Sequence, residues 1–108
     1  MKITTWNVNS LAARLQHVLD WTKANPVDVL CIQELKLTDD KFPLDVLHSI
    51  GYEHCAVFGQ KTYNGVAVMS RFPVRDVVKN IVGFEDDSSR LLSVTVDTPA
   101  GELRLVNG

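Results

Sequence analysis

Long apolar runs are missing from this sequence. None approaches the roughly 18 residues that a membrane-spanning helix needs, and the N-terminus lacks the apolar stretch of a signal peptide. A cytoplasmic protein with no membrane association is the expectation that follows. Cysteine is scarce: Cys31 and Cys55 are the two in 108 residues. Both sit among apolar neighbours, so buried free thiols are expected rather than a disulfide, in a reducing compartment. An excess of either charge is also missing. The net charge of -2 gives no bulk reason to bind nucleic acid, although a local basic rim is enough for that. Repeats, low-complexity tracts and interdomain linkers are absent, and the length suits one domain. What is present is a composition 45% hydrophobic and 22% charged, as expected of a globular chain.

The pattern alternates before it turns to strands. KITTW (residues 2–6) reads as a short strand. Residues 10–24 read as a helix, with Ser10 as N-cap and Leu11, Leu15, Val18, Leu19 and Thr22 on one face. Asn25 and Pro26 end it. VDVLCIQ (27–33) is nearly continuous apolar sequence between breakers, which suits a strand buried on both faces. A loop follows, then a short helix over 43–50 with Pro43 at its first position and Gly51 closing it. Strands are expected at 52–58, 65–70, 74–80, 91–97 and 102–107, the last two joined as a hairpin by TPAG (98–101). The order β-α-β-α followed by a β meander predicts a mixed α/β layered domain.

A strand-helix-strand crossover makes its two strands parallel neighbours. Their carboxyl ends then share an edge, where open α/β sheets bind ligands. The first strand ends at Asn7 and Asn9, the second at Gln33, Glu34 and Lys36. Glu34 follows six residues that read as buried. A carboxylate there needs a cation, a donor or a metal, and Mg²⁺ takes one or two carboxylates with water and substrate phosphate. Pairing of Glu34 with Lys36, or a loop cap, is the simpler alternative. His17, His48 and His54 have no motif around them and read as packing or surface residues. Trp6 and Trp21 read as core and helix-packing residues.

The stretches TTWNVNSL and DVLCIQELKL resemble the opening of the exonuclease III family of AP endonucleases, of the DNase I-like endonuclease/exonuclease/phosphatase fold. Asn7, Val8, Asn9, Ser10 and Leu11 match the first motif; Pro26, Asp28, Gln33, Glu34 and Lys36 match the second, with Val27 inserted between proline and aspartate. DDKFPLDVLHSIGY, GQKTYNGVAVMSR, DSSRL (87–91) and LRLVNG continue the likeness along the chain. Two motifs at the right mutual spacing make a specific signal.

The resemblance implies a DNase I-like layered α/β sandwich. Residues 1–108 would form about its N-terminal half, a mixed sheet with helices on one face. It implies a Mg²⁺-dependent phosphodiesterase of base-excision repair, with Mn²⁺ able to substitute. The reaction would be cleavage 5′ to abasic sites, with 3′→5′ exonuclease or 3′-phosphatase activity in some members. The partner would be duplex DNA with abasic or 3′-blocked sites in a bacterial-type, nucleoid-associated setting. Glu34 would bind the metal and Asn7 would orient the metal site. Asn9 and Lys36 would lie beside them in the phosphate environment, and Arg90 on the DNA rim. Lys61, Tyr63 and Asn64 form a loop that would approach DNA.

The family's tyrosine loop, aspartate-x-asparagine motif and serine-aspartate-histidine motif would lie beyond Gly108. Residues 1–108 alone are therefore expected to show little nuclease activity. The sheet face carrying Val29, Ile32, Val66 and Val68 is expected to be uncovered. The protein would then be monomeric if the chain continues and self-associating if it ends there. Two alternatives stand beside this reading. One is another phosphoesterase of the superfamily, acting on phosphoinositide or sphingomyelin head groups. The other is a non-catalytic DNA-binding or interaction module, for which Lys36, Lys41, Lys61, Arg71, Arg75 and Arg90 are the available rim cations.

Overall fold

The computed structural model describes residues 1–80 and 89–108. Strand β1 (Ile3–Asn7) leads into helix α1 (Leu11–Ala24), and β2 (Val29–Gln33) follows. A single 3-10 turn (Asp39–Lys41) and helix α2 (Leu44–Ser49) precede β3 (His54–Phe58) and β4 (Val66–Ser70). The last strands are β5 (Val74–Lys79), β6 (Leu92–Thr98) and β7 (Gly101–Asn107). The expected crossover is present: β1 pairs with β2 in parallel, from Ile3 opposite Val29 to Asn7 opposite Gln33. β1 runs one residue further than the sequence pattern predicts, so Asn7 ends the strand rather than beginning the turn.

The strands divide into two sheets rather than one meander. The first has the order β1-β2-β4-β3 and the second β5-β6-β7. Alternation along β2 and β4 shows how they stack. Leu30, Ile32, Ala67 and Met69 pack with Leu11, Val18, Leu47 and Tyr52 beneath the helices. Val29, Cys31, Val66 and Val68 pack instead with Leu92, Val94 and Val96 of the second sheet. The layers are therefore helices, four strands and three strands.

This arrangement overturns the expectation of an uncovered apolar face. Val29, Val66 and Val68 are closed over by β6, and Ile32 points the other way, toward the helices. A period-2 strand sends neighbours to opposite faces, so these four residues never shared one. Full burial of each contributes about 1.5–3 kcal/mol.

Local chemistry accounts for the element ends. Ser10 Oγ accepts from the Ala13 amide at 3.3 Å, the expected N-cap. Thr22 is buried on the apolar face because its hydroxyl donates to the Val18 carbonyl at 2.9 Å. Pro43 caps α2 from just outside it rather than from its first position. The β6–β7 hairpin forms as expected, from Leu92 opposite Asn107 to Thr98 opposite Gly101. Both cysteines are free thiols, Cys31 buried and Cys55 half-buried.

Candidate functional site

The crossover delivers the ends of β1 and β2 to one edge, and the pairing continues past both strands. Val8 N donates to Gln33 O at 3.1 Å, Ser10 N to Glu34 O at 2.9 Å and Leu11 N to Leu35 O at 3.0 Å. On the other side Leu35 N donates to Gly65 O at 3.1 Å and Lys36 N to Asn64 O at 2.9 Å. Residues 34–36 are thus clamped between two segments. The clamp holds left-handed backbone at Asn9, Glu34, Lys36 and Asn64, with φ of 46°, 55°, 55° and 55°. Asparagine tolerates this conformation. For Glu34 and Lys36 it costs on the order of 1–3 kcal/mol each, which the surrounding backbone bonds offset.

Asn7, Gln33, Glu34, Asn64, Ser89 and Arg90 line a cleft of about 300 Å³ at this edge. The Asn7 side-chain amide donates to Glu34 Oε2. Asn7 Oδ1 in turn accepts from the Asn9 amide at 3.1 Å, which fixes which way the Asn7 side chain faces. Lys36 does not pair with Glu34. Its ammonium donates to Asn9 Oδ1 at 2.5 Å. The simpler reading of Glu34 as half of a Glu34–Lys36 ion pair therefore fails, and the carboxylate keeps an oxygen for the cleft.

Behind the cleft two amides join the sheets. Gln33 Nε2 donates to Thr5 Oγ1 and to Asn107 Oδ1, both at 2.7 Å. Asn107 Nδ2 donates to the carbonyls of Ile32 at 3.1 Å and Ala67 at 2.8 Å. Sequence reasoning placed Gln33 at a strand end and in the second motif without a contact, and gave Asn107 no role. The signal was there: an asparagine closing the alternating strand LRLVN is costly to bury unless it is bonded. Ser89 was missed too. Its amide donates to Gln60 Oε1 at 2.8 Å and its hydroxyl to Gly59 O at 3.0 Å, and this places Arg90 at the cleft.

The profile of the Endonuclease/Exonuclease/phosphatase family matches residues 4–106. The chain belongs to that family. It is 29% identical to exodeoxyribonuclease III of Haemophilus influenzae over 109 residues, covering 100% of this chain and 40% of that protein. It is 32% identical to the DNA repair nuclease APEX1 of Danio rerio, covering 92% of this chain and 33% of that one. Among solved structures, the 3′ phosphatase NExo from Neisseria, bound to a product DNA hairpin, superposes with a TM-score of 0.89 at 46% identity. That match covers 98% of this chain and 40% of the other. An AP endonuclease from Archaeoglobus fulgidus superposes with a TM-score of 0.81 at 40% identity, over 89% of this chain and 37% of its own. The chain thus spans about 40% of the length of several relatives it matches.

Within this family framework the site residues read from the sequence do not all meet. Asn7, Glu34, Asn64 and Arg90 meet at the cleft. Asn9 and Lys36 pair beside it. Lys61 lies outside the cleft, in a neighbouring groove with Lys36. Tyr63 is 66% exposed and lines neither. Of the DSSRL stretch, Asp87 and Ser88 lie outside the described residues. His17 packs edge-on against Trp6 at 5.1 Å, and Trp21 meets the same ring at 5.7 Å. This confirms packing roles for both tryptophans. His48 and His54 line a separate cleft near α2 and β3. Among the described residues no three His, Cys, Asp or Glu side chains cluster as a ready-made metal cage.

Proposed function

We propose that residues 1–108 supply the metal-binding and phosphate-facing edge of a Mg²⁺-dependent DNA phosphodiesterase of base-excision repair. Its reaction is cleavage 5′ to abasic sites, and 3′→5′ exonuclease or 3′-phosphatase action uses the same edge. The observation that carries this reading is the Glu34 carboxylate, held through Oε2 by the Asn7 amide in a cleft that also contains Arg90. The likeness to a DNA repair nuclease and to a 3′ phosphatase supports it. In this reading the segment forms the N-terminal half of the family domain and works in a reducing cytoplasm.

The donor set fits magnesium. The Glu34 carboxylate is a hard oxygen donor, and Mg²⁺ binds through few protein ligands because it keeps waters and substrate phosphate. Glu34 would hold the ion, with Asn7 beside it. Magnesium, when bound, polarises a phosphoryl oxygen and stabilises a leaving alkoxide. The chain's own residues prepare the site for this. Asn7 fixes the carboxylate, Lys36 fixes Asn9, and Arg90 offers donors to an anionic oxygen. The cleft contains no histidine among the described residues, so the 108-residue chain alone is expected to bind rather than turn over.

Mn²⁺ binding followed by electron paramagnetic resonance tests the reading. Wild-type protein should bind Mn²⁺ competitively with Mg²⁺, and Glu34→Gln should lose at least about tenfold in affinity, in line with losses at metal-site partners. Equal affinity in the variant removes Glu34 from the metal site. Incision of an abasic duplex by residues 1–108 at rates in the usual enzyme range, about 1 per second or more, would overturn the expectation that this chain alone is inactive.

A further inference from the structure

Two asparagines are followed by glycine, Asn64 by Gly65 and Asn107 by Gly108. Asparagine is among the chemically labile residues. A following glycine makes it more so, because no Cβ shields the next backbone nitrogen, and that nitrogen can attack the asparagine side-chain carbonyl. The fold treats the two pairs differently. Asn107 is buried, its Nδ2 donating to the Ile32 and Ala67 carbonyls and its Oδ1 accepting from Gln33. Turning its side chain toward the Gly108 nitrogen would break all three bonds.

Asn64 is half-buried. Among the described residues its side chain makes one bond, from Nδ2 to Gln60 Oε1 at 3.3 Å, longer than a normal hydrogen bond to oxygen. The attacking group is covered from one side only: Gly65 N donates to Ser89 O at 2.9 Å. Ser89 is itself held by Gln60 Oε1, which accepts from its amide at 2.8 Å, and by Gly59 O, which accepts from its hydroxyl at 3.0 Å. Gln60 thus holds both the Asn64 side chain and the residue that covers the Gly65 nitrogen.

We propose that Asn64–Gly65 is a self-modification site of the folded chain, closed while Ser89 accepts the Gly65 N–H and open when that bond parts. On opening, the Gly65 nitrogen gives its proton to solvent and bonds to Asn64 Cγ, closing a succinimide ring. The Cγ–Nδ2 bond breaks, and ammonia leaves with a proton taken from water. Water then cleaves one of the two C–N bonds of the ring. Cleavage at Cγ leaves aspartate; cleavage at the main-chain carbonyl leaves isoaspartate, with the backbone rerouted through the side chain. The sum is an amide plus water giving a carboxylic acid plus ammonia, with no oxidant or reductant.

Either product adds a carboxylate to the cleft, where Glu34 and Arg90 are the charged side chains of the lining. Their balance of one negative and one positive charge then becomes net negative. Isoaspartate also takes the Asn64 carbonyl that accepts from the Lys36 amide out of the main chain, which loosens the clamp on residues 34–36. The modification stands whether or not the cleft binds metal or DNA.

Peptide mapping by mass spectrometry, on protein aged at mildly alkaline pH, tests it. The Asn64 peptide should gain about 1 Da and become a substrate for a methyltransferase specific for isoaspartyl carboxylates. The Asn107 peptide should keep its mass. In urea the two sites should convert at rates of the same order, since only local sequence then acts. Gln60→Ala and Ser89→Ala each remove one bond that holds Ser89. Each should raise the Asn64 rate in the folded chain by about fivefold, the population gain from one lost hydrogen bond, with Asn107 unchanged. A variant that fails to fold reveals itself by converting at Asn107 as well, and the other variant then decides. Equal rates at the two sites in the folded chain overturn the proposal. So does an Asn64 lead that is as large in urea as in the fold, or an Asn64 rate unchanged in both variants.

Discussion

Gln33 and Asn107 are bonded across the two sheets, the Gln33 amide donating to Asn107 Oδ1 at 2.7 Å. Asn107 is 3% exposed and also donates to the Ile32 and Ala67 carbonyls. Asn107→Ala deprives three groups of a partner at once. A buried group left unpaired costs about 1–3 kcal/mol, so the urea midpoint of the variant should fall clearly with little change in the slope m. A midpoint equal to wild type would mean that water replaces the asparagine without loss.

Glu34→Gln separates metal chemistry from folding. Glutamine keeps a carbonyl oxygen for the Asn7 amide and removes the charge. The melting temperature should shift by no more than the few degrees that about 1 kcal/mol represents, while the stabilisation by added Mg²⁺ disappears. A large loss of stability without metal would show that the carboxylate is needed for the fold itself.

Gly65 occupies φ of 91° beside the clamp, and a Cβ there would lie 2.9 Å from Leu35 Cβ. Gly65→Ala therefore meets both backbone strain and a clash. It should destabilise by about 1–3 kcal/mol and loosen the bond between Gly65 O and the Leu35 amide. Faster hydrogen exchange at Leu35 than at Leu30 would locate the damage. Exchange unchanged at Leu35 would contradict it.

Burial pushes the Cys31 and Cys55 thiols up to about 11. A free thiol ionises near 8.5. Below that value both states hold their protons and the thiols have no effect on pH dependence. Above it the unfolded chain releases protons while the folded chain keeps them, so stability should fall as pH rises toward 11. Burial also raises the Tyr52 hydroxyl and adds to the same trend. Denaturation midpoints at pH 8 and pH 10 should differ less in a Cys31→Ala, Cys55→Ala variant than in wild type. An identical drop in both would remove the thiols as its cause.

Much of the architecture was legible where periodicity and breakers agree. The parallel β1–β2 pair, the Ser10 cap and the β6–β7 hairpin all follow from local chemistry. The division into two sheets was not legible, because a run of short strands has the same pattern whether it extends one sheet or starts another. That ambiguity produced the uncovered face that β6 in fact covers. In the site, Asn7 and Glu34 could be placed together because one crossover fixes both. Asn107 and Ser89 could not. Their partners lie 74 and 29 residues away, and no pattern within a helix or strand reports contacts at that range. The choice of Lys36 for Asn9 rather than Glu34 depends on left-handed backbone at residues 34 and 36, which neither glutamate nor lysine advertises.

The Gln33–Asn107 bond also sets an order of events during synthesis. β1, α1 and β2 can associate early, because the β1–β2 pairing, from Ile3 with Val29 to Asn7 with Gln33, closes over a short stretch of chain and near contacts cost less chain entropy to close. The bond that fixes the rear of the cleft waits for a residue made 74 positions after Gln33. At about 5–20 residues per second on the ribosome, the edge carrying Asn7 and Glu34 stays without that brace for several seconds. A nascent chain stalled before Leu92 should expose the face of β2 that β6 later covers, and one stalled between Thr98 and Asn107 should cover that face while Gln33 still lacks its brace.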